Sequence, residues 1–192
     1  MPRASAADAA RTAREILASA TDLLAARGFA QVSLDDVARA AGVTRGAVYH
    51  HYGSKAGLFR AVAAQLQSDV AETVATAAQC AGTDARAALR AGCHAFLDAI
   101  TAAPAVRVLL VDAPAVFGWE QWRQLDAENS VVHLREALAD VGVDERLLDA
   151  TTAQLSGAMN EAALWIAQQP TAGAARDAAH RVLDRLLAAV VL

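Results

Sequence analysis

The sequence predicts an all-α protein: an N-terminal three-helix domain containing a helix-turn-helix, then a larger helical domain, with about nine helices in total. Three observations lead there. The chain is rich in Ala, holds only four Pro in 192 residues and has short β-branched runs, a composition that favours helix. Apolar residues return at three- and four-residue spacing along most of it, which puts them on one face of a helix. These stretches open at Ser, Thr or Asp and close at Gly or Pro, residues that cap and stop helices. The length suits two modest globular units, expected at 1–53 and 54–192, and no repeat at a fixed period is present.

Residues 1–10 are polar and Ala-rich and read as a mobile arm. A first helix is expected from about Asp8 to Arg27, with Ile16, Leu17, Ala20, Leu23 and Leu24 on one face; Gly28 ends it and Phe29 can pack back on its last turn. Ser33 is a good N-cap, because its hydroxyl can accept from an unpaired backbone N–H, and Asp35 and Asp36 put negative charge at the positive end of the helix dipole. That second helix buries Leu34, Val37, Ala38 and Ala41 and stops at Gly42, with Val43 in the turn. Thr44 caps a third helix with Ala47, Val48 and Tyr52 inside, leaving Arg45, Gly46, Tyr49 and His50 outside and His51 at the edge. Two short helices joined by a Gly-containing turn form a helix-turn-helix, and the second helix suits a DNA major groove.

Arg45 is the candidate for base readout, since its planar fork pairs bidentately with guanine. Tyr49, His50 and His51 are candidates for phosphate, with His50 able to share base readout. Ser33, Thr44 and Lys55 would position the DNA backbone, and Gly46 would let the helix approach closely. Arg3 could reach a minor groove or belong to a disordered tail, and Arg11 and Arg14 could touch a phosphate or be solvated charges. After a turn at Gly53, Ser54 caps a fourth helix starting at Lys55, where free N–H groups, the dipole and the ammonium together favour an anion. It runs through Leu58, Phe59, Val62, Leu66 and Val70 toward Ala78.

The stretch from Ile16 to Leu66, with its helix-R-G-F entry, A-G-V-T-R-G turn and Y-H-H-Y-G-S-K exit, resembles the DNA-binding domain of the tetracycline-repressor (TetR) family. Two departures stand out. Tyr52 replaces the usual Phe, adding a hydroxyl, and Ala56-Gly57 replaces a Glu-containing pair, which weakens the capping box that Ser54 would make. The resemblance implies a phosphate contact for Lys55, dimerisation through the two C-terminal helices, and release of a two-fold-related operator when a small molecule fills a cavity.

In the second domain, Asp84 to Ala102 is amphipathic along Leu89, Cys93, Phe96, Leu97 and Ile100. Ala105–Ala113, between Pro104 and Pro114, is β-branched but is expected to be a short buried helix, because a lone strand leaves its backbone unpaired. One long helix is expected over Trp119–Val141, another from Asp144 to about Gln169, and a last over Thr171–Leu192. The last two carry broad apolar faces that two copies of the chain could bury in a four-helix interface, through Leu155, Ala158, Ala162, Val182, Leu183, Leu186 and Val190. Completing a monomer core is the alternative. Phe96, Trp119, Trp122 and Trp165, with the polar Asp126, Asn129 and Asn160, are candidates for an effector cavity, although aromatics at helical spacing are more often core. His94, His133 and Glu161 are polar groups within reach of the same cluster.

Charge divides with the domains. The net charge is −4, yet residues 1–60 hold eight Lys and Arg against five acids, a basic head on an acidic body. No secretory signal or membrane-length apolar run is evident, so a cytoplasmic protein without a membrane partner is expected. Cys80 and Cys93 have no metal-ligand spacing and read as buried free thiols; no cofactor or metal is indicated. Catalytic signatures are missing: no G-x-S-x-G, phosphate loop, H-E-x-x-H or dinucleotide turn, so no enzyme is expected. The expected partners are a double-stranded DNA operator, a second copy of the chain and an unidentified small-molecule effector. The readings left beside a repressor are an activator or effector-independent regulator of the same fold, and a small-molecule-binding dimer without DNA.

Overall fold

The structure, a computed structural model, describes residues 6–126 and 130–190. Among these, ten α-helices and a π-helical segment follow one another with no strand: α1 (Ala6–Arg27), α2 (Leu34–Ala40), α3 (Arg45–Tyr52), α4 (Lys55–Cys80), α5 (Ala85–Thr101), the π-helical Val106–Asp112, α6 (Ala113–Phe117), α7 (Trp119–Asp126), α8 (Val132–Asp140), α9 (Glu145–Ala167) and α10 (Ala172–Val190). Arg3, Asn129 and Val191 lie outside the described residues.

The local signals act as capping chemistry requires. Ser33 Oγ accepts from Asp36 N–H at 3.1 Å while Ser33 N–H donates to Asp36 Oδ2 at 3.0 Å, a reciprocal capping box at the start of α2. Thr44 Oγ1 accepts from Ala47 N–H at 3.2 Å and starts α3. At α4 only half of the box survives: Ser54 Oγ accepts from Gly57 N–H at 2.9 Å, and Gly57 has no side chain to return the bond. Gly57 is needed for another reason, since a Cβ there would collide with the Tyr52 carbonyl. Gly57→Ala is therefore expected to cost about 1–3 kcal/mol, read as a lowered thermal midpoint.

Ile16, Ala20, Val37, Val48 and Phe59 are buried at the centre of the head. Its third helix is tied to its first by Tyr52, whose hydroxyl donates to the Ala13 carbonyl at 2.7 Å. That bond gives the Phe-to-Tyr departure a structural use, and partial burial pushes the phenol pKa up. Head and body meet along a run of rings: Phe29 packs on Phe59 at 4.9 Å and Phe59 on Phe117 at 5.2 Å. Beside them the Phe29 N–H donates to Asp112 Oδ2 at 2.9 Å, so the turn after α1 is bonded directly to the π-helical segment. Gly28 sits at φ +76 with the Arg107 guanidinium against it, where any Cβ would clash.

The body departs from expectation in four places. Residues 105–113 are helical as expected, but Val106–Asp112 is π-wound, with the Ala113 N–H reaching back to the Val108 carbonyl. The Leu109 carbonyl accepts from Trp122 Nε1 at 2.7 Å. The single helix expected over 119–141 is two, α7 and α8, with residues 127–129 between them outside the description. Cys93 is buried, its thiol pushed up to about 12 by desolvation, whereas Cys80 is exposed. His94 belongs to a ladder between α5 and α10 and not to the aromatic cluster.

That ladder repeats one spacing on two antiparallel helices: Arg90, His94 and Asp98 face Asp184, His180 and Arg176. Arg90 grips Asp184 with two bonds, at 2.7 and 3.0 Å, and Arg176 Nε reaches Asp98 at 2.7 Å. The two imidazoles meet Nδ1 to Nδ1 at 2.6 Å, one donating and one accepting, while each Nε2 faces a carboxylate. Hydrogen bonds from Arg90 and then His94 lower Asp184 to about 2; at Asp98 burial opposes, but Arg176 and His180 outweigh it and the net shift is also down. A carboxylate with a depressed folded pKa stabilises the fold above its unfolded value and loses that contribution as pH falls. The urea midpoint is therefore expected to drop between pH 3.8 and about 2, and Asp184→Asn to flatten that part of the profile.

No single helix among the described residues is long and apolar enough to cross a membrane.

Candidate nucleic-acid interface and cavity

The outer face of α3 and the start of α4 gather the predicted DNA-binding residues on one surface. Ser33, Thr44, Arg45, Gly46, Tyr49 and His50 are exposed, and His51 and Lys55 are half-buried. Tyr49 is 62% exposed, a large apolar area left uncovered beside a cation. Gly46 has no neighbour closer than 3.8 Å to an added Cβ, so nothing within the protein calls for its missing side chain. Arg45 Nη1 lies 3.1 Å from Asp35 Oδ2 on α2, an exposed pair that holds little energy and is readily exchanged. Lys55 is less free: its Nζ is 4.3 Å above the Phe29 ring and 3.4 Å from the Ala30 carbonyl. Ser33 and Thr44 spend their hydroxyls on helix caps. Arg11, offered as a phosphate contact, pairs with Asp8 at 2.9 Å and Glu15 at 3.8 Å.

In the body, a cavity of about 490 Å³ opens between α4, α5, α8 and α9. Its wall is mainly Val74, Ala78, Leu89, Phe96, Leu134 and Met159, with Gln79, Ser130, His133, Glu136, Asp140 and Ser156 as polar members. Of the residues offered for an effector site, Phe96 and His133 line it among those described. Trp119 is 66% exposed and packs at a tilt of 41° against Trp122, while Trp122 is buried with its N–H committed to the Leu109 carbonyl. Asp126 and Asn160 are buried and do not line it; with Ser156, which does, they form one polar cluster. Trp165 stands elsewhere, on the outer side of α9. The lining residues that sequence reasoning missed are mostly Ala, Val and Leu of α4 and α8, which carry no signal distinguishing a cavity wall from packed core.

Trp165 instead joins Ala158, Glu161, Ala162, Val182 and Leu186 around an apolar groove of about 340 Å³ on the outer side of α9 and α10. Val182 is 53% exposed and Leu186 39%, large apolar side chains facing outward on the two C-terminal helices. Leu155 and Leu183, expected with them, are buried: Leu155 faces the protomer's own core, and Leu183 forms the groove floor. The outward stripe is narrower than the sequence pattern suggests, because α9 and α10 pack against each other as well as facing out.

A capped helix-turn-helix carried by an all-helical body defines a class: helix-turn-helix DNA-binding transcriptional regulators. The model of bacterial regulatory proteins of the tetR family matches residues 16–62, and that of the tetracyclin repressor-like C-terminal domain matches residues 86–190. The chain belongs to the TetR family of transcriptional regulators, with a DNA-binding helix-turn-helix.

A TetR-family transcriptional regulator from Pectobacterium atrosepticum superposes with a TM-score of 0.77 at 30% identity, covering 98% of both chains. One from Streptomyces coelicolor, at 22% identity, shares the fold with a TM-score of 0.77 over 95% of this chain and 97% of its own. The HTH-type transcriptional regulator SrpR of Pseudomonas putida is 43% identical over 67 residues, 35% of this chain and 32% of that protein. The probable acrEF/envCD operon repressor of Escherichia coli K12 is 39% identical over 59 residues, 31% of this chain and 27% of its own length. The chain thus matches only about a third of these curated relatives.

Proposed function

We propose that the protein is a homodimeric, ligand-responsive transcriptional repressor of the cytoplasm, with a DNA-reading unit at 1–53 and an effector and dimerisation unit at 54–192. The observation that carries the DNA reading is the outer face of α3, where Arg45 is paired only loosely and Tyr49 and Gly46 stand uncovered. Arg45 exchanges Asp35 for a guanine edge, Tyr49 and His50 meet the flanking phosphates, and Lys55 contacts phosphate from the start of α4. One short helix reads few bases, so specificity comes from two heads held at a fixed spacing.

The exposed groove of Ala162, Trp165, Val182 and Leu186 supports a two-fold interface built from α9 and α10 of each copy. The cavity supports effector control, and its position suggests the coupling. Its α4 wall continues to Phe59, which packs on Phe29 of the head and Phe117 of the body, so a ligand that prefers one position of α4 shifts the heads. The name of the Escherichia coli relative as an operon repressor favours repression.

Selection of bound duplexes from a random pool tests this reading. Two half-sites related by a two-fold axis at constant spacing are expected; unrelated sequences bound with equal affinity would refute it.

A further inference from the structure

The cavity walls carry charge of one sign. Among the described residues that line it, Glu136 and Asp140 are carboxylates and none is Lys or Arg; the only other ionisable side chains are His133, whose Nδ1 lies 3.5 Å from Glu136, and the neutral Cys93 thiol. An anionic ligand would enter against these carboxylates with no fixed cation to receive it.

The inner end is also acidic, and it holds unspent hydrogen-bonding capacity. Ser130 and Ser156 line the cavity, and Ser156 is also a hydrogen-bonding neighbour of Asp126, which lies outside the lining and is only 4% exposed. Burial pushes the Asp126 carboxyl pKa up, against Arg123, Asn160 and Ser156, which favour its charged form. Among the described residues Arg123 is its one cation, at 3.5 Å, and that guanidinium also lies 5.8 Å from each of the Trp119 and Trp122 rings. The Asn160 amide, only 7% exposed, is close enough to Asp126 to polarise it, but its oxygen and nitrogen make no hydrogen bond of full geometry among the described residues. The Ser130 hydroxyl, on a residue 8% exposed, is likewise unpartnered among them. Unsatisfied polar groups inside a fold call for a partner. The unpartnered groups are the Ser130 hydroxyl and both the oxygen and the nitrogen of the Asn160 amide; with the Asp126 carboxylate beside them, oxygen lone pairs outnumber the N–H and O–H donors.

We propose that the cavity takes a lipophilic amine, its apolar body between α4, α5 and α8 and its protonated nitrogen directed at Ser130, Ser156 and Asn160, with Asp126 beside them. This assignment rests on the reading of the cavity as the effector site and adds the chemical class of the effector. A protonated amine brings several N–H donors for the Ser130 and Asn160 oxygens and a positive charge that the cavity lining does not supply, and small wall residues such as Gly92, Ala75 and Ala88 leave width for an aliphatic chain.

Calorimetry of the full-length protein with octylamine, octanol and octanoate tests it, since the three share one apolar body and differ only in the end group. Octylamine is expected to bind at least tenfold tighter than octanol, and octanoate at least tenfold weaker. Asp126→Asn should bring the amine-to-alcohol ratio close to one while leaving octanol affinity within about twofold. Asn160→Leu, which keeps the carboxylate, should lower octylamine affinity more than octanol affinity. Octanoate binding as tightly as octylamine, no binding of octylamine, or an unchanged ratio in both variants would overturn the assignment. Operator release, followed separately by fluorescence anisotropy, keeps the two readings apart. Amine binding without release would refute effector control and leave the ligand class standing; release by octanoate but not by octylamine would do the reverse.

Discussion

Arg45→Ala is expected to remove preference at one base pair in each half-site while leaving the fold unchanged. The pair it gives up in the free protein, with Asp35, is exposed on both sides and contributes little to stability. A bidentate arginine–guanine contact discriminates by roughly 1–3 kcal/mol, and two heads reading one operator double that to roughly 2–6 kcal/mol. Affinity for the selected duplex should fall between about thirtyfold and about twenty-thousandfold, with non-specific duplex affinity much less affected. Lys55→Ala should behave differently. It removes a charge and no base contact, so all sequences should weaken together, and the slope of log affinity on log salt should fall by roughly two for a pair of heads. Parallel selection experiments and salt titrations on the two variants separate these outcomes; identical profiles would contradict the division of roles.

Val182→Glu should have an equally large effect from the far end of the molecule. Val182 is more than half exposed in the protomer, so the substitution leaves its core untouched. In a two-fold interface it would bury two carboxylates against the apolar groove of Ala162, Trp165 and Leu186. Desolvating an unpaired charge costs several kcal/mol in practice, and the symmetry counts it twice. The variant should sediment as a folded single subunit and lose at least a hundredfold in affinity for the full operator, while each half-site alone binds as before. A Val182→Glu dimer of unchanged stability would place the interface elsewhere.

The head is legible in the sequence because its signals are local. Ser33, Thr44 and Ser54 are each bonded to an N–H three residues on, so the caps, and the helices they start, can be read from short windows. The outward position of Arg45 and Tyr49 follows from helical period alone. The body is legible in its helix inventory and less so in its cavity, because which face of an aromatic helix meets a void depends on neighbours distant in sequence. Trp122 illustrates this: its indole N–H is spent on the carbonyl of Leu109, thirteen residues earlier, in a segment whose π-winding no short window foretells. The α5–α10 ladder does leave a trace, since Arg, His and Asp recur at four-residue intervals in both 90–98 and 176–184. The matched spacing becomes meaningful once the two helices are seen to run antiparallel.

Paired reading heads are the claim on which the remaining effects depend, and sedimentation equilibrium of the unaltered protein, alone and with its selected duplex, tests it most directly. Two subunits in the free protein and two bound per duplex are expected, with a mass that does not change on dilution through the micromolar range. A single subunit in solution that binds the duplex one at a time, with no gain from the second half-site, would contradict it.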